Sequence, residues 1–255
     1  MIKITHLHHE YEDKIALRDL NLEIPSGKIF GFLGHNGAGK STTLKSITSV
    51  IEPTSGSIIV DGLDLAKNRL DVKKRIGYVP DTPDLFLQLT ASEYWNLIAS
   101  IYKINLNEHQ DRLHELTDLF SMTESIDTQI QSMSHGMREK TIIIGTLLVN
   151  PDVWILDEPI QGLDPQAAYD LKEMMKDHAA KGKTVIFSTH VLDTAQQLCD
   201  EIAILKDGSL IYDGSVQALL ADHPNQSLET VYLEMAGRKT DQADIDKLTE
   251  DGDEK

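Results

Sequence analysis

The chain has 255 residues, 40% of them hydrophobic, and a single cysteine, enough to bury a full core as one large domain or two small ones and too little thiol for a disulfide or a thiolate-rich metal centre. Its formal charge of -17 opposes binding to a polyphosphate backbone or to anionic lipid, so nucleic acid is not an expected partner. The longest stretches free of Asp, Glu, Lys and Arg, 29–39 and 141–151, are eleven residues each, short of the about 20 that a membrane-crossing helix needs.

Residues 1–10 carry one lysine and three histidines in place of a basic segment followed by an apolar run. No secretory signal is therefore expected, and the cytoplasm is the expected compartment. His6, His8, His9 and Glu10 suggest a metal cluster, but adjacent residues on a strand point to opposite faces, which predicts surface histidines instead. Residues 2–29 read as short strands with turns, broken at Pro25, Ser26 and Gly27, and lead into the apolar run 29–33. Helical periodicity covers 41–51, Pro53 and Gly56 stop it, and 57–60 followed by Asp61 and Gly62 reads as a strand and a turn. Between 90 and 150 apolar residues recur at three and four, as in Tyr94, Leu97, Ile98 and Ile101, which predicts a helical insertion. The runs 153–156 and 184–187 then enclose a helix over 165–180, the alternation of parallel strands with crossover helices. Residues 202–205 and 210–212 flank Asp207 and Gly208 as a hairpin, and a helix follows over 228–235. Cys199 suits a small buried core position. From 241 to 255 seven acidic residues face two basic ones, so 238–255 is expected to be a disordered acidic tail.

Between the run 29–33 and the helix lies Gly34, His35, Asn36, Gly37, Ala38, Gly39, Lys40, Ser41 and Thr42. Glycines at these spacings let backbone N–H groups wrap phosphates, Lys40 reaches the outer phosphates, Ser41 ligates Mg²⁺, and the following helix aims its positive end at the anion. Asp157 and Glu158 close the run 153–156, at the carboxyl end of a strand where open α/β sheets bind ligands. Asp157 suits a water-mediated Mg²⁺ contact, and Glu158 suits activation of the water that attacks the γ-phosphate. His190 closes the run 184–189; a histidine there is structural unless it reaches the γ-phosphate.

With these motifs in this order the sequence resembles the nucleotide-binding subunit of ATP-binding cassette transporters over nearly all of 2–236. The discriminating segment is Ser134, His135, Gly136, Met137, Arg138 and Glu139, which opens a helix ahead of Asp157 as the family signature does. The resemblance implies an α/β P-loop NTPase fold, with a RecA-like core, an N-terminal antiparallel β subdomain and an inserted helical subdomain at about 90–150, within a nucleotide-binding domain over 1–237. It further implies that Tyr11, with Ala16, stacks on adenine, although a strand tyrosine packing in a core is a competing reading. Asp81 takes the place of the family's glutamine switch and can bind Mg²⁺, and Gly162, Leu163 and Asp164 match the loop that bridges two active sites. The implied assembly is a head-to-tail homodimer, with ATP and Mg²⁺ on one phosphate loop capped by Ser134 and Gly136 of the other copy. A separate transmembrane permease would hold it at the inner face of the membrane.

The sequence departs from the pattern at three positions. His135 stands where the signature has its first glycine, Met137 replaces its glutamine, and Asp81 is shorter than glutamine and lacks the amide donor. An acidic switch and a signature ending in Gly, Met, Arg resemble bacterial exporter subunits of drug, polysaccharide and Ecs-type systems, which implies export. A soluble cassette ATPase acting as a switch or scaffold, and a phosphotransferase using the same loop, are the competing readings.

Overall fold

The computed structural model describes residues 1–12 and 14–237; the expected acidic tail, 238–255, lies outside the described residues. Two long antiparallel strands open the chain, β1 (Ile2–Tyr11) and β2 (Lys14–Ile24), followed by β3 (Ile29–Leu33) and α1 (Lys40–Ile47). Next come β4 (Ser55–Val60), β5 (Leu63–Asp64), α2 (Arg69–Lys73) and β6 (Ile76–Val79). The helices α3 (Ala91–Tyr102), α4 (Gln110–Leu119) and α5 (His135–Leu148) occupy the middle of the chain. Then β7 (Val153–Asp157), α6 (Pro165–Ala180), β8 (Thr184–Thr189), α7 (Leu192–Leu198), β9 (Glu201–Lys206), β10 (Ser209–Ser215), α8 (Val216–Asp222) and α9 (Leu228–Met235) complete it.

The strands form two sheets. One is antiparallel, in the order β2-β1-β4-β5, and the other runs β10-β9-β3-β8-β7-β6. Within the second sheet β3 pairs in parallel with β8 and β9, β7 with β8 and β6, and only β10 is antiparallel. Buried on both faces, β3 and β7 can be continuous apolar runs, whereas a strand facing water would alternate. The register aligns their carboxyl ends: Leu33 opposes Thr189, Asp157 opposes Ser188, and Val79 opposes Leu156. The next residues of each strand, Gly34, Glu158, His190 and the Pro80–Asp81 step, therefore emerge along one edge, the ligand edge of an open α/β sheet.

One apolar cluster, with Phe30, Phe32 and Leu44, fills the space between the two sheets; a second, with Trp95, Phe120, Trp154 and Phe187, joins the helices α3 to α6 to the other face. The buried indole N–H of Trp95 finds a partner, donating to the Thr141 carbonyl at 2.9 Å. Local chemistry fixes the helix starts. Thr90 and Glu93 form a reciprocal capping box on α3, and Asp164 caps α6 ahead of Pro165.

Four expectations are corrected. The short strands expected at 2–29 are two long ones, because β1 is interrupted by bulges, with His6 at φ 50°, that shift its inside-outside alternation. That shift also buries His9, expected at the surface, where its ring meets the Tyr11 ring edge-on at 4.3 Å. The helix expected over 41–51 ends at Ile47, where the Thr48 hydroxyl donates to the Leu44 carbonyl and Ser49 turns to φ 53°. Cys199 is half-buried at the margin of the core, and burial pushes its thiol up.

Candidate nucleotide site

A cleft of about 580 Å³ lies along the ligand edge. It is lined by Tyr11, Lys14, Ala16, Asn36, Gly37, Gly39, Lys40, Ser41, Thr42, Asp81, Glu158, Gln161 and His190, so β1, β2, the 34–42 loop and the ends of β6, β7 and β8 all contribute. Tyr11 and Ala16 stand beside the loop, where an aromatic face and a small side chain can flank a base. Gly39 caps α1 at φ 110°, and a Cβ there would sit 2.9 Å from the Ala16 carbonyl oxygen; a side chain would be strained and would collide with β2.

Lys40 is 5% exposed, and its ammonium donates to the Gly34 carbonyl at 2.7 Å. The same nitrogen lies 3.4 Å from Glu158 Oε1, so one fixed cation is shared between the loop and the carboxylate. Glu158 Oε2 is 2.9 Å from His190 Nδ1. Glu158 also adopts φ 53°, a backbone conformation that non-glycine residues rarely hold without support. Ser188 gives that support: its hydroxyl accepts from the Glu158 N–H at 3.0 Å and donates to Asp157 Oδ1 at 2.6 Å.

Asp157 has no exposed surface and lies behind Ser41, whose hydroxyl donates to Asp157 Oδ1 at 3.0 Å. Burial raises its carboxyl pKa, with Asp81 adding to the rise, and the bonds from Ser188 and Ser41 oppose it. The other oxygen, Oδ2, is buried with no hydrogen-bond partner. An orphaned carboxylate oxygen beside a serine hydroxyl, with Asp81 across the cleft, is a set of hard oxygen donors that fits Mg²⁺.

Some expected residues lie elsewhere. Gly34 and Ala38 are buried beneath the loop, and His35 turns away from the cleft, its Nδ1 2.8 Å from the Asn36 carbonyl and its Nε2 3.5 Å from Asp207. Ser134, His135, Gly136 and Met137 do not line the cleft. They open α5, where Ser134 Oγ accepts from the Met137 N–H at 3.3 Å. His135 lines an adjoining cavity of about 470 Å³ with Asp81, Thr82, Gln161 and Gly162. Asp164 is engaged within its own subunit, accepting from the Ala167 N–H at 2.9 Å and from Lys140 at 2.6 Å, and its carboxyl is held below the usual range. Lys14, Gln161 and Ser188 belong to the site without having been singled out from the sequence. None of the three carries a signal in residue type or spacing that would have marked it.

Residues 17–161 match the ABC transporter family. The chain belongs to that family. It is 33% identical over 238 residues to the ABC transporter ATP-binding protein NatA of Bacillus subtilis (strain 168), a match covering 91% of this chain and 97% of NatA. It is 30% identical over 219 residues to the Nod factor export ATP-binding protein I of Burkholderia thailandensis, covering 86% of this chain and 72% of that one. A solved dimeric structure of a post-hydrolysis state of the ATP-binding cassette MJ0796 bound to ADP and Pi resembles it with a TM-score of 0.77 at 25% identity, over 85% of this chain and 99% of that one. As an ABC protein this chain has the P-loop NTPase fold and is an ATPase of the transporter's ATP-binding kind. Among the described residues no helix is long and apolar enough to cross a membrane.

Proposed function

We propose that this ABC protein is the ATP-hydrolysing subunit of a membrane exporter, acting as a homodimer at the cytoplasmic face through a separate transmembrane permease. Residues 1–237 form its nucleotide-binding domain, with the helical subdomain at about 90–150. The observation that carries the reading is the convergence of Lys40, the Ser41–Asp157 pair and the Glu158–His190 pair on one cleft. Tyr11 and Ala16 receive the adenine, and the backbone N–H groups of 34–42 with Lys40 hold the phosphates. Ser41, Asp157 and Asp81 would hold Mg²⁺, which would supply charge neutralisation for the phosphates. Glu158 accepts the proton of the attacking water, and His190, 2.9 Å from its carboxylate, fixes its orientation and contacts the γ-phosphate. Ser134 to Met137 of a second copy, with its Asp164 loop, complete the site.

Export is supported by the acidic Asp81 and the Gly136, Met137, Arg138 ending of the signature, and by a relative named for Nod factor export. The test is Glu158→Gln. The variant is expected to bind ATP, to lose turnover and to accumulate as an ATP-bound dimer by size-exclusion chromatography. Hydrolysis at the wild-type rate would remove Glu158 from the chemistry. Function in a fully soluble assembly, with no membrane protein co-purifying, would refute the exporter role.

A further inference from the structure

Glu139 is a buried carboxyl that the proposed chemistry does not use. It is 3% exposed, and its Oε2 has no hydrogen-bond partner. Neither cation beside it in sequence serves it: Lys140 donates to Asp164 at 2.6 Å and Arg138 to Asp84 at 2.6 Å. Asp81, whose charge acts on it, and the imidazole of His135 one turn earlier on α5, with Nε2 3.9 Å from Oε2, are the groups that face it. That imidazole lies against Gly162. A Cβ on Gly162 would be 2.6 Å from His135 Cδ2, 3.2 Å from its Nε2 and 3.8 Å from Glu139 Oε2. A Cβ on Gly136 would be 2.5 Å from the Gly162 carbonyl oxygen, so the start of α5 and the 162–164 loop touch backbone to backbone.

His135 therefore sits folded against its own subunit, about 1 Å beyond hydrogen-bond distance of a buried oxygen that lacks a partner. Its ring is half exposed and can close that gap by rotating a side-chain torsion. We propose that Glu139 is a positioning residue that captures the His135 ring, draws it onto Gly162 and clears the face where Ser134 and Gly136 meet the other copy's nucleotide. The inference rests on the composite-site reading above. Either protonation pattern makes the bond, since a carboxylic O–H can donate to an imidazole nitrogen and an imidazole N–H can donate to a carboxyl oxygen. The bulky imidazole at a position where the family signature has glycine is thus accommodated by a group five positions after Ser134.

The experiment is a double-mutant cycle on the full chain, reading kcat and KM for ATP, together with ATP-dependent dimer formation in the Glu158→Gln background. Glu139→Leu fills the site without an acceptor or donor and is expected to weaken ATP-dependent dimerisation and kcat by about tenfold, the size of one lost buried hydrogen bond. Glu139→Gln retains both an acceptor and a donor and is expected to stay within about twofold of wild type. In a His135→Gly background, Glu139→Leu should change either quantity by less than about twofold, because no ring remains to be captured. An equal loss in both backgrounds, or a Gln variant as impaired as the Leu variant, overturns the inference. Should the Leu variant fail to fold, His135→Phe asks the same question from the exposed side: a ring without nitrogen should lose about tenfold, and wild-type behaviour overturns the inference. If ATP fails to dimerise even the Glu158→Gln chain, the composite-site reading fails and takes this inference with it; a dimer that forms without the coupling refutes the role of Glu139 alone.

Discussion

Replacing Ser188 by alanine tests how the chemical end of the cleft is held. The hydroxyl is fully buried; it donates to Asp157 Oδ1 at 2.6 Å and accepts from the Glu158 N–H at 3.0 Å. The first bond is to a carboxyl group and the second closes the backbone of a residue at φ 53°. Removing a hydrogen bond to a charged group costs about 1.5–3 kcal/mol and a neutral one about 1 kcal/mol, so together about 3 kcal/mol is expected. At about 2–4 °C per kcal/mol for a chain of this size, the unfolding midpoint should fall by roughly 6–12 °C. Function should suffer differently from stability. Lys40 and the 34–42 loop are untouched, so ATP affinity should stay within about threefold, whereas kcat should fall at least about tenfold as Glu158 loses its fixed direction. Asp157 should also titrate still higher, because the Ser188 bond is one of the two that oppose its rise. Thermal unfolding by circular dichroism and steady-state phosphate release check both parts. A Ser188→Ala protein with wild-type midpoint and wild-type kcat would refute the claim that this hydroxyl sets the geometry.

Lys40→Ala removes the one buried ammonium of the cleft and should weaken ATP binding by about 1.5–3 kcal/mol, tenfold or more, in a fluorescent-nucleotide titration; unchanged affinity would contradict its role. Gly162→Ala forces a side chain into φ 95° and against the His135 ring, for an expected loss of about 1–2 kcal/mol in urea unfolding. Glu139 carries a pH signature: burial first, then the charge of Asp81, pushes its carboxyl from 4.5 up to about 8. Between those values the folded chain keeps a proton that the unfolded chain releases, so stability falls as pH rises, by up to about 1.4 kcal/mol per pH unit. Glu139→Gln has no such proton, so its unfolding midpoint should gain on wild type between pH 5 and pH 8, and parallel curves would disprove the shift.

The phosphate loop was legible because its residue types are demanded at contiguous positions, and the same holds for Asp157 and Glu158 at the end of a wholly apolar strand. Ser188 was not, because its value comes from the parallel register that sets it opposite Asp157, and register is a property of two strands 31 residues apart. Glu139 was not legible either. Ile142, Ile143 and Thr146, three, four and seven residues on from it, are buried, but so is every other residue of 141–148, and a helix buried all round has no apolar stripe to mark the carboxyl as inward. The long N-terminal strands were obscured by the bulge at His6, which moves Leu7 and His9 onto the face that Ile2 and Ile4 already occupy. A strict period of two breaks the segment into pieces at that point.

The net charge of -17 and a site for a polyanion are compatible because the two act over different lengths. Beyond about 8–10 Å, surface charge is screened at physiological ionic strength, and a triphosphate fits within that span, whereas a nucleic-acid backbone extends far outside it and meets the whole acidic surface. Inside the cleft the local balance is different. Lys40, Lys14 and His190 face it, the N-terminus of α1 points its N–H groups into it, and Asp157 lies behind Ser41 with its charge disfavoured by burial. Asp81 and Glu158 are the carboxylates that line the cleft, and of the two it is Glu158 that the loop's own Lys40 engages, at 3.4 Å. A phosphate entering the loop competes with Glu158 for that ammonium. The carboxylate so released is free to turn toward a water, which ties the availability of the proposed catalytic group to occupancy of the loop beside it.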